Sequence, residues 1–201
     1  MPADSSASAL PPHAQSVQMG TAHWVSHILY AAAKLGLADQ LAHGPRTADE
    51  LAGPTGTHGP SLYRLMRALA MLGVLNEEAG HRFSLTQLGE ALKDGATGMA
   101  RPTILTMAAP WMHQGMCELL YSVQTGKSGM EHMFGMPVFD WMAKRPDEAS
   151  LFSQTMVGIH GAEPAAVAEA YDFSGFSTII DVGGATGNLL TAVLQKAPKA
   201  M

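Results

Sequence analysis

Apolar residues recur at helical spacing through the first part of the chain, with polar residues between them. The first series predicts two helices separated at Gly36, and its apolar positions are Val25, Ile28, Leu29, Ala32 and Leu35. The second series lies within SLYRLMRALAMLGVL, where one face carries Leu62, Leu65, Met66, Leu69 and Leu72. Both segments are therefore predicted to be amphipathic helices.

Local signals predict where these elements begin and end. Thr47 and Glu50 have the spacing of a capping box ahead of a short helix. Pro60 suits the first turn of the second amphipathic helix, and Gly73 suits its C-terminal end. VLNEEAGHRFSL then predicts two short strands around a turn at 78–80, and TQLGEAL a further short helix. Helix, turn, helix and hairpin is the order of a winged-helix domain.

The pattern stays helical from residue 101 to 171 and then changes. Pro137 is predicted to begin a helix that ends near Ala143, and Asp147 is predicted to cap the next one. A β-branched run at 178–182 predicts a strand, which a glycine-rich loop joins to a final helix. The predicted regions are a disordered lead-in (1–16), a winged-helix-like domain (17–100), a helical linker and pocket region (101–173) and a strand–helix unit (174–201).

The charge of the winged-helix region argues against DNA binding. The segment from residue 46 to 94 contains five basic and six acidic residues, and the predicted wing carries the adjacent Glu77 and Glu78. A DNA-reading helix and wing require clustered lysine and arginine, and the whole chain has a net charge of −5. The region is therefore predicted to contact protein and not nucleic acid.

Several other classes of protein are disfavoured by composition. No uncharged apolar run approaches the roughly 20 residues that cross a membrane. The single cysteine, Cys117, excludes an internal disulfide and fits a reducing, cytoplasmic location. His23 and His27 lie four residues apart, but no carboxylate is near them in the sequence, so no metal site is predicted.

The glycine stretch DVGGATG, residues 181–187, is typical of a ligand-binding loop. Glycine lets the backbone approach a ligand closely, and the helix that follows presents its amides to an anionic group. A dinucleotide fingerprint would need glycine at positions 183, 185 and 188, but the chain has Ala185 and Asn188. A phosphate loop would end in Gly-Lys-Ser/Thr, which is absent from this stretch. A tight turn without a ligand remains the alternative.

The stretch resembles the first motif of S-adenosylmethionine (SAM)-dependent methyltransferases, and the resemblance extends upstream. Its landmarks are Pro110–Trp111, SVQTGKSGMEHMFG at 122–135, FDWMAKRPDEASLFSQTM at 139–156 and YDFSGFSTIIDVGGATG at 171–187. Over roughly residues 20–198 the chain resembles the N-terminal part of the small-molecule O-methyltransferases typified by plant caffeate, hydroxyindole and bacterial antibiotic-tailoring enzymes. The implied fold is a mainly α winged-helix-like dimerisation domain followed by the start of an α/β Rossmann-like domain.

The resemblance implies a role for ten residues. The donor SAM would be bound by Asp181, Gly183, Gly184, Gly187 and His160. The acceptor would be bound by Trp111, Met112, His113, Phe152 and Met156. Ala185 stands where the family usually has glycine. The alternatives are plain core packing for Phe152 and Met156, and a surface or packing role for His160.

The resemblance also implies an activity and a partner. The family methylates hydroxyls of small molecules, here a small aromatic or polycyclic acceptor, and dimerises through its N-terminal helices, here residues 17–75. Its general-base histidine lies in the C-terminal half, beyond residue 201, so no catalytic residue is assigned. Residues 1–201 alone are therefore expected to be inactive. The alternative is a non-catalytic dimerising subunit, or half of a split methyltransferase that needs a C-terminal partner chain.

Overall fold

The computed structural model describes residues 10–200, which form helices and one small sheet. The first elements are α1 (Pro12–Gly20), α2 (His23–Lys34), α3 (Leu37–Leu41), α4 (Ala48–Thr55), α5 (Gly59–Met71), β1 (Leu75–Glu78), β2 (Arg82–Leu85) and α6 (Gln87–Glu90). The later elements are α7 (Ala100–Met107), α8 (Pro110–Cys117), α9 (Leu119–Thr125), α10 (Gly129–Phe134), α11 (Val138–Ala143), α12 (Pro146–His160), α13 (Glu163–Ala170) and α14 (Asn188–Lys196). Across this described range, no helix has both the length and the apolar character needed to cross a bilayer.

The predicted winged-helix order is confirmed by α4, α5 and the β1–β2 hairpin. The Thr47 hydroxyl accepts from the Glu50 amide at 3.2 Å, and Glu50 Oε2 accepts from the Thr47 amide at 2.8 Å, so the capping box is formed. The strands pair antiparallel with Leu75 opposite Leu85. Phe83 also exchanges backbone hydrogen bonds with Arg46, which anchors the hairpin to the segment before α4.

The predicted helix ends are mostly confirmed. Gly36 and Gly73 adopt positive φ angles of 62° and 72°, which glycine tolerates better than other residues, and they end α2 and α5. The predicted cap at Asp147 is wrong, because α12 already begins at Pro146 with Arg145 before it. Proline lacks the amide that a cap would satisfy, and its fixed φ suits the first helical position.

A first hydrophobic core lies between the helices and the hairpin of the N-terminal region. Leu51, Met66 and Phe83 are completely buried at its centre. Their neighbours in the core come from α2, α3, α5, β1 and the segment after α6, and they include Ala32, Leu37, Leu41, Leu62, Leu69, Leu75 and Leu92. The two predicted amphipathic faces therefore pack against each other inside the chain.

A second packing contact joins two of the later helices, α7 and α12. α7 and α12 meet at two buried threonines, and the Thr155 hydroxyl lies 2.9 Å from the Thr106 hydroxyl. The Thr155 hydroxyl also lies 3.0 Å from the Pro102 carbonyl. These contacts fix the position of α12, the helix that carries Phe152 and Met156.

Two predictions about irregular segments need correction. The lead-in was predicted to be disordered over residues 1–16. Residues 1–9 lie outside the described part of the chain. Residues 12–16 form the start of α1, so the prediction is wrong there. The predicted strand at 178–182 is not formed. Ile180 and Val182, which a buried strand would have covered, are 79% and 91% exposed. A strand requires a hydrogen-bonded neighbour, and none pairs with this run within residues 10–200.

The hairpin is tied to α5 by a carboxylate network around Glu77. Glu77 Oε1 lies 3.2 Å from His81 Nδ1 and accepts from the Tyr63 hydroxyl at 3.1 Å, while Arg67 pairs with Oε2 at 3.3 Å. The hydrogen bond with His81, followed by that with Tyr63 and the charge of Arg67, lowers the pKa of Glu77 below its ordinary value. The ionised form of Glu77 is therefore favoured by folding.

Glu77→Gln should make the free energy of unfolding less sensitive to acid. Because the pKa of Glu77 is lower in the folded state, its contribution is present above the unfolded-state pKa and is lost as pH falls through the folded-state value. Urea unfolding at pH 5 and pH 3, at one protein concentration, measures this loss. Glu131→Gln on α10 is the control. An equal drop in the wild type and in Glu77→Gln would contradict the assignment.

Candidate functional site

The glycine loop, residues 181–187, turns the chain into α14. Gly183, Ala185 and Gly187 have positive φ angles of 77°, 46° and 72°. The Gly187 amide donates to the Gly184 carbonyl at 2.7 Å, which closes the turn. Ala185 adopts the left-handed region at a cost of about 1 kcal/mol. The backbone at this position is therefore one that glycine would adopt more easily.

The loop leaves its backbone open on one side. A Cβ atom built on Gly183 or Gly187 would have no other atom within 4 Å. The first amides of α14 lack partners within the helix, because such amides have no preceding turn to donate to. With the positive end of the helix dipole beside this open backbone, the loop favours an anionic group such as a carboxylate.

Asp181 provides a hydrogen-bond acceptor at the same loop, whereas the first amides of α14 are donors. Its carboxylate lies against Gly184, where any Cβ would overlap it. Asp181 Oδ2 is buried and has no hydrogen-bond partner in the described part of the chain. A buried acceptor without a donor is costly, so this oxygen suits a ligand that brings an N–H or O–H group. The loop therefore fits the amino-acid portion of SAM, which carries both a carboxylate and an ammonium group.

Three of the five predicted acceptor residues meet in one aromatic cluster, which is centred on Trp111, Trp141 and Met142. The Trp111 ring lies 5.1 Å from that of Trp141. Met112 and Phe152 pack against the same cluster. Phe152 therefore packs against this cluster, as the alternative of plain core packing expects. Met156 is half-buried and follows the buried Thr155 on α12.

His113 lies apart from the aromatic cluster, beside two histidines of α2. Its ring centroid is 4.6 Å from that of His27 and 6.1 Å from that of His23. Sequence reasoning treated His23 and His27 only as a pair and missed this third ring, and it also missed Tyr30, which packs against the aromatic cluster. Within residues 10–200 no group of three or more His, Cys, Asp or Glu is arranged to hold a metal ion.

His160 and His132, two histidines of the predicted pocket region, are each paired with a glutamate. His160 ends α12, where its Nδ1 lies 2.8 Å from Glu163 Oε2, and its side chain is 56% exposed. His132 Nδ1 lies 3.1 Å from Glu118 Oε2, and its ring stacks on that of Tyr121. Both rings are therefore already held by a carboxylate.

An open surface groove lies between α8, α9 and α10. Its walls include Gly115, Met116, Leu119, Gly129 and Met130. None of the ten residues predicted to bind donor or acceptor lines this groove. It is therefore distinct from the predicted site.

Comparison with known proteins gives the family. The family model described as "O-methyltransferase dimerisation domain" matches residues 17–94. The model described as "O-methyltransferase domain" matches residues 117–201. The chain belongs to the O-methyltransferase family. It corresponds to the N-terminal part of these enzymes, which use SAM, and the resemblance found in the sequence is confirmed.

The relatives of this chain include bacterial O-methyltransferases. It is 38% identical over 194 residues to the phenazine O-methyltransferase PhzM of Lysobacter antibioticus, covering 96% of this chain and 57% of the relative. It is 34% identical to the mitomycin biosynthesis 6-O-methyltransferase of Streptomyces lavendulae, covering 87% of this chain and 50% of the relative. The structure of the mitomycin 7-O-methyltransferase MmcR superposes with a TM-score of 0.88 at 31% identity, covering 94% of this chain and 56% of that one. The chain thus spans about half the length of these relatives.

Proposed function

We propose that this chain provides the dimerisation domain, part of the acceptor pocket and the donor loop of a SAM-dependent O-methyltransferase. The proposed acceptor is a small aromatic or polycyclic hydroxyl compound. The observation that carries the proposal is the glycine loop, in which the Asp181 oxygen, buried and unpartnered among residues 10–200, lies against Gly184 in the turn that leads into α14. The family membership of residues 117–201, which contain this loop, supports it.

The loop residues are proposed to hold the amino-acid portion of the donor. Gly183 and Gly187 allow the backbone to approach, Gly184 leaves room for the Asp181 carboxylate, and that carboxylate accepts a hydrogen bond from the ligand. His160, at the end of α12, is proposed to lie near the donor's carboxylate. SAM supplies an electrophilic methyl group on its sulfonium when bound, and these residues orient it.

The aromatic cluster is proposed to bind the acceptor ring. Trp111, Met112 and Phe152 pack in one apolar cluster. His113 and Met156 lie on the two helices that supply these residues, α8 and α12. The acceptor hydroxyl must lose a proton during methyl transfer, and general bases usually perform this step. We propose that the base is a histidine outside residues 1–201, so none of the nine histidines here is assigned to it.

Labelled methyl transfer tests the proposed function. We would join residues 1–201 to the remaining C-terminal portion of the Lysobacter relative, and supply labelled SAM with aromatic and polycyclic hydroxyl compounds. Label should appear in the hydroxyl compounds and not in matched compounds whose hydroxyl is already methylated. A folded chimera that binds SAM but transfers no label would favour the alternative, a non-catalytic dimerising subunit. Robust turnover by residues 1–201 alone would contradict the need for the remaining half.

We further propose that the chain forms a homodimer through residues 17–75. The apolar face of α5 that contains Leu62, Met66 and Leu69 is buried in the chain's own core, so it is not the interface. Other apolar side chains in this range are exposed instead, and they are Val17, Met19, Trp24, Val25 and Met71. The match to a dimerisation domain over 17–94 supports an interface there.

Light scattering at micromolar concentration should give the mass of a dimer for residues 1–201. The double change Met19→Glu, Met71→Glu places two carboxylates on side chains that are 79% and 87% exposed, so it should yield a monomer without disturbing the core. The matched control is Leu120→Glu, Val123→Glu on α9, at 67% and 75% exposure, which should stay dimeric. A monomeric wild type, or a dimeric Met19→Glu, Met71→Glu variant, would contradict the proposed interface.

A further inference from the structure

His23, His27 and His113, here called the imidazole cluster, lie next to one another. The ring centroids of His27 and His113 are 4.6 Å apart, and those of His23 and His27 are 6.2 Å apart. Among residues 10–200 the structure gives these three rings no hydrogen bond and no ion pair. Four other histidines each have a polar side-chain partner, and they are His58, His81, His132 and His160.

The imidazole cluster adjoins the aromatic cluster where side chains of α2 reach α8. His23, His27 and Tyr30 have the spacing i, i+4, i+7, so they lie on one face of α2. Tyr30 packs against the aromatic cluster, while the two imidazoles face His113. Met112, the neighbour of His113 on α8, also packs against the aromatic cluster. The half-buried Tyr30 and Met112 therefore connect the buried aromatic cluster to the helices that carry the three imidazole rings.

The surroundings of the imidazole cluster favour an anion. The sequences of α2 and α8 contain no aspartate or glutamate. α7, which packs against α2, carries Arg101, whose guanidinium is paired with Asp39 and Asp94. Imidazole N–H groups donate hydrogen bonds, and neighbouring imidazoles repel one another when protonated. A carboxylate placed among the three rings would accept from several of them and offset that repulsion.

We propose that the imidazole cluster binds an anionic substituent, such as a carboxylate, on the aromatic acceptor. Tyr30 and Met112 would lie against the acceptor ring, with the anionic group at His23, His27 and His113. This inference rests on the proposed function, and it narrows the acceptor class to aromatic acids that also carry a hydroxyl. His23 and His27 become specificity-determining residues contributed by the N-terminal domain.

Ligand titration of residues 1–201, followed by NMR of the histidine C2–H signals, tests the site without any methyl donor. The probes are 2-naphthoate, the neutral 2-naphthalenemethanol and inorganic phosphate. Naphthoate should move the signals of the three cluster histidines and leave that of His43 in place. Its affinity should exceed that of the alcohol by about tenfold or more, since hydrogen bonds to a charged group are the stronger class. Phosphate alone should bind more weakly than naphthoate, because it lacks the ring.

Two single variants and one control complete the test. His113→Gln and His27→Gln should each lower the naphthoate affinity by about tenfold, since each removes one donor to a charged group. His43→Gln, in the loop after α3, should leave it unchanged. Equal affinity for naphthoate and the alcohol, equal affinity for phosphate, or wild-type affinity in both cluster variants would overturn the proposal. Because SAM is absent, these failures are distinguishable from a failure of methyl transfer in the chimera.

Discussion

Gly184→Val is expected to lower the SAM affinity of the chimera by about a hundredfold, or roughly 2.7 kcal/mol. A Cβ at this position overlaps the Asp181 carboxylate, so the carboxylate must rotate away or the loop must move. Either change removes the buried acceptor oxygen that is proposed to meet the donor's ammonium group. Losing a hydrogen bond to a charged partner accounts for most of the effect. Isothermal titration calorimetry measures it.

A neighbouring glycine provides the matched control for this prediction. A Cβ built on Gly175 meets no other atom within 4 Å, so Gly175→Ala should bind SAM within about twofold of the unchanged chimera. Asp181→Asn keeps the size of the side chain while removing its charge, and it should also weaken binding. Unchanged affinity in Gly184→Val would mean that this loop does not contact the donor.

Phe83→Ala is expected to lower the free energy of unfolding by about 3–5 kcal/mol. The Phe83 ring is completely buried and lies edge-on to Tyr63 at 5.9 Å. Its removal leaves a cavity where the hairpin meets α5, in a core that cannot fully collapse around the gap. Urea unfolding at a fixed protein concentration measures the change, because dimerisation would make stability depend on concentration.

Phe139→Ala is the control for the core prediction. Phe139 lies on α11 with its side chain 70% exposed, so truncation should change the free energy of unfolding by less than about 1 kcal/mol. Equal losses for Phe83→Ala and Phe139→Ala would show that the hairpin does not close the N-terminal core.

The parts of the fold that could be predicted are those decided by neighbouring residues. The capping box of Thr47 and Glu50 forms within one turn of helix, and Gly36 and Gly73 end helices because they accept a positive φ. The cap before α12 was misplaced by overlooking Pro146, a signal that is equally local. These elements need no knowledge of the remaining chain.

The elements that sequence reasoning missed depend on distant partners. The run at 178–182 has strand residues, but a strand exists only when another pairs with it. The approach of His113 to His23 and His27 requires α8 to come close to α2, which no spacing within one helix can reveal. The i, i+4, i+7 spacing of His23, His27 and Tyr30 was the available signal for a shared face.

Calorimetry of SAM binding to residues 1–201 alone and to the chimera tests the central claim most directly. The claim is that the glycine loop forms one side of a donor site whose other walls lie outside these residues. Small-molecule sites usually enclose about 70–90% of their ligand, and a one-sided site loses most of that contact. We therefore expect residues 1–201 to bind SAM at least about a hundredfold more weakly than the chimera. Low-micromolar affinity for residues 1–201 alone would contradict this account.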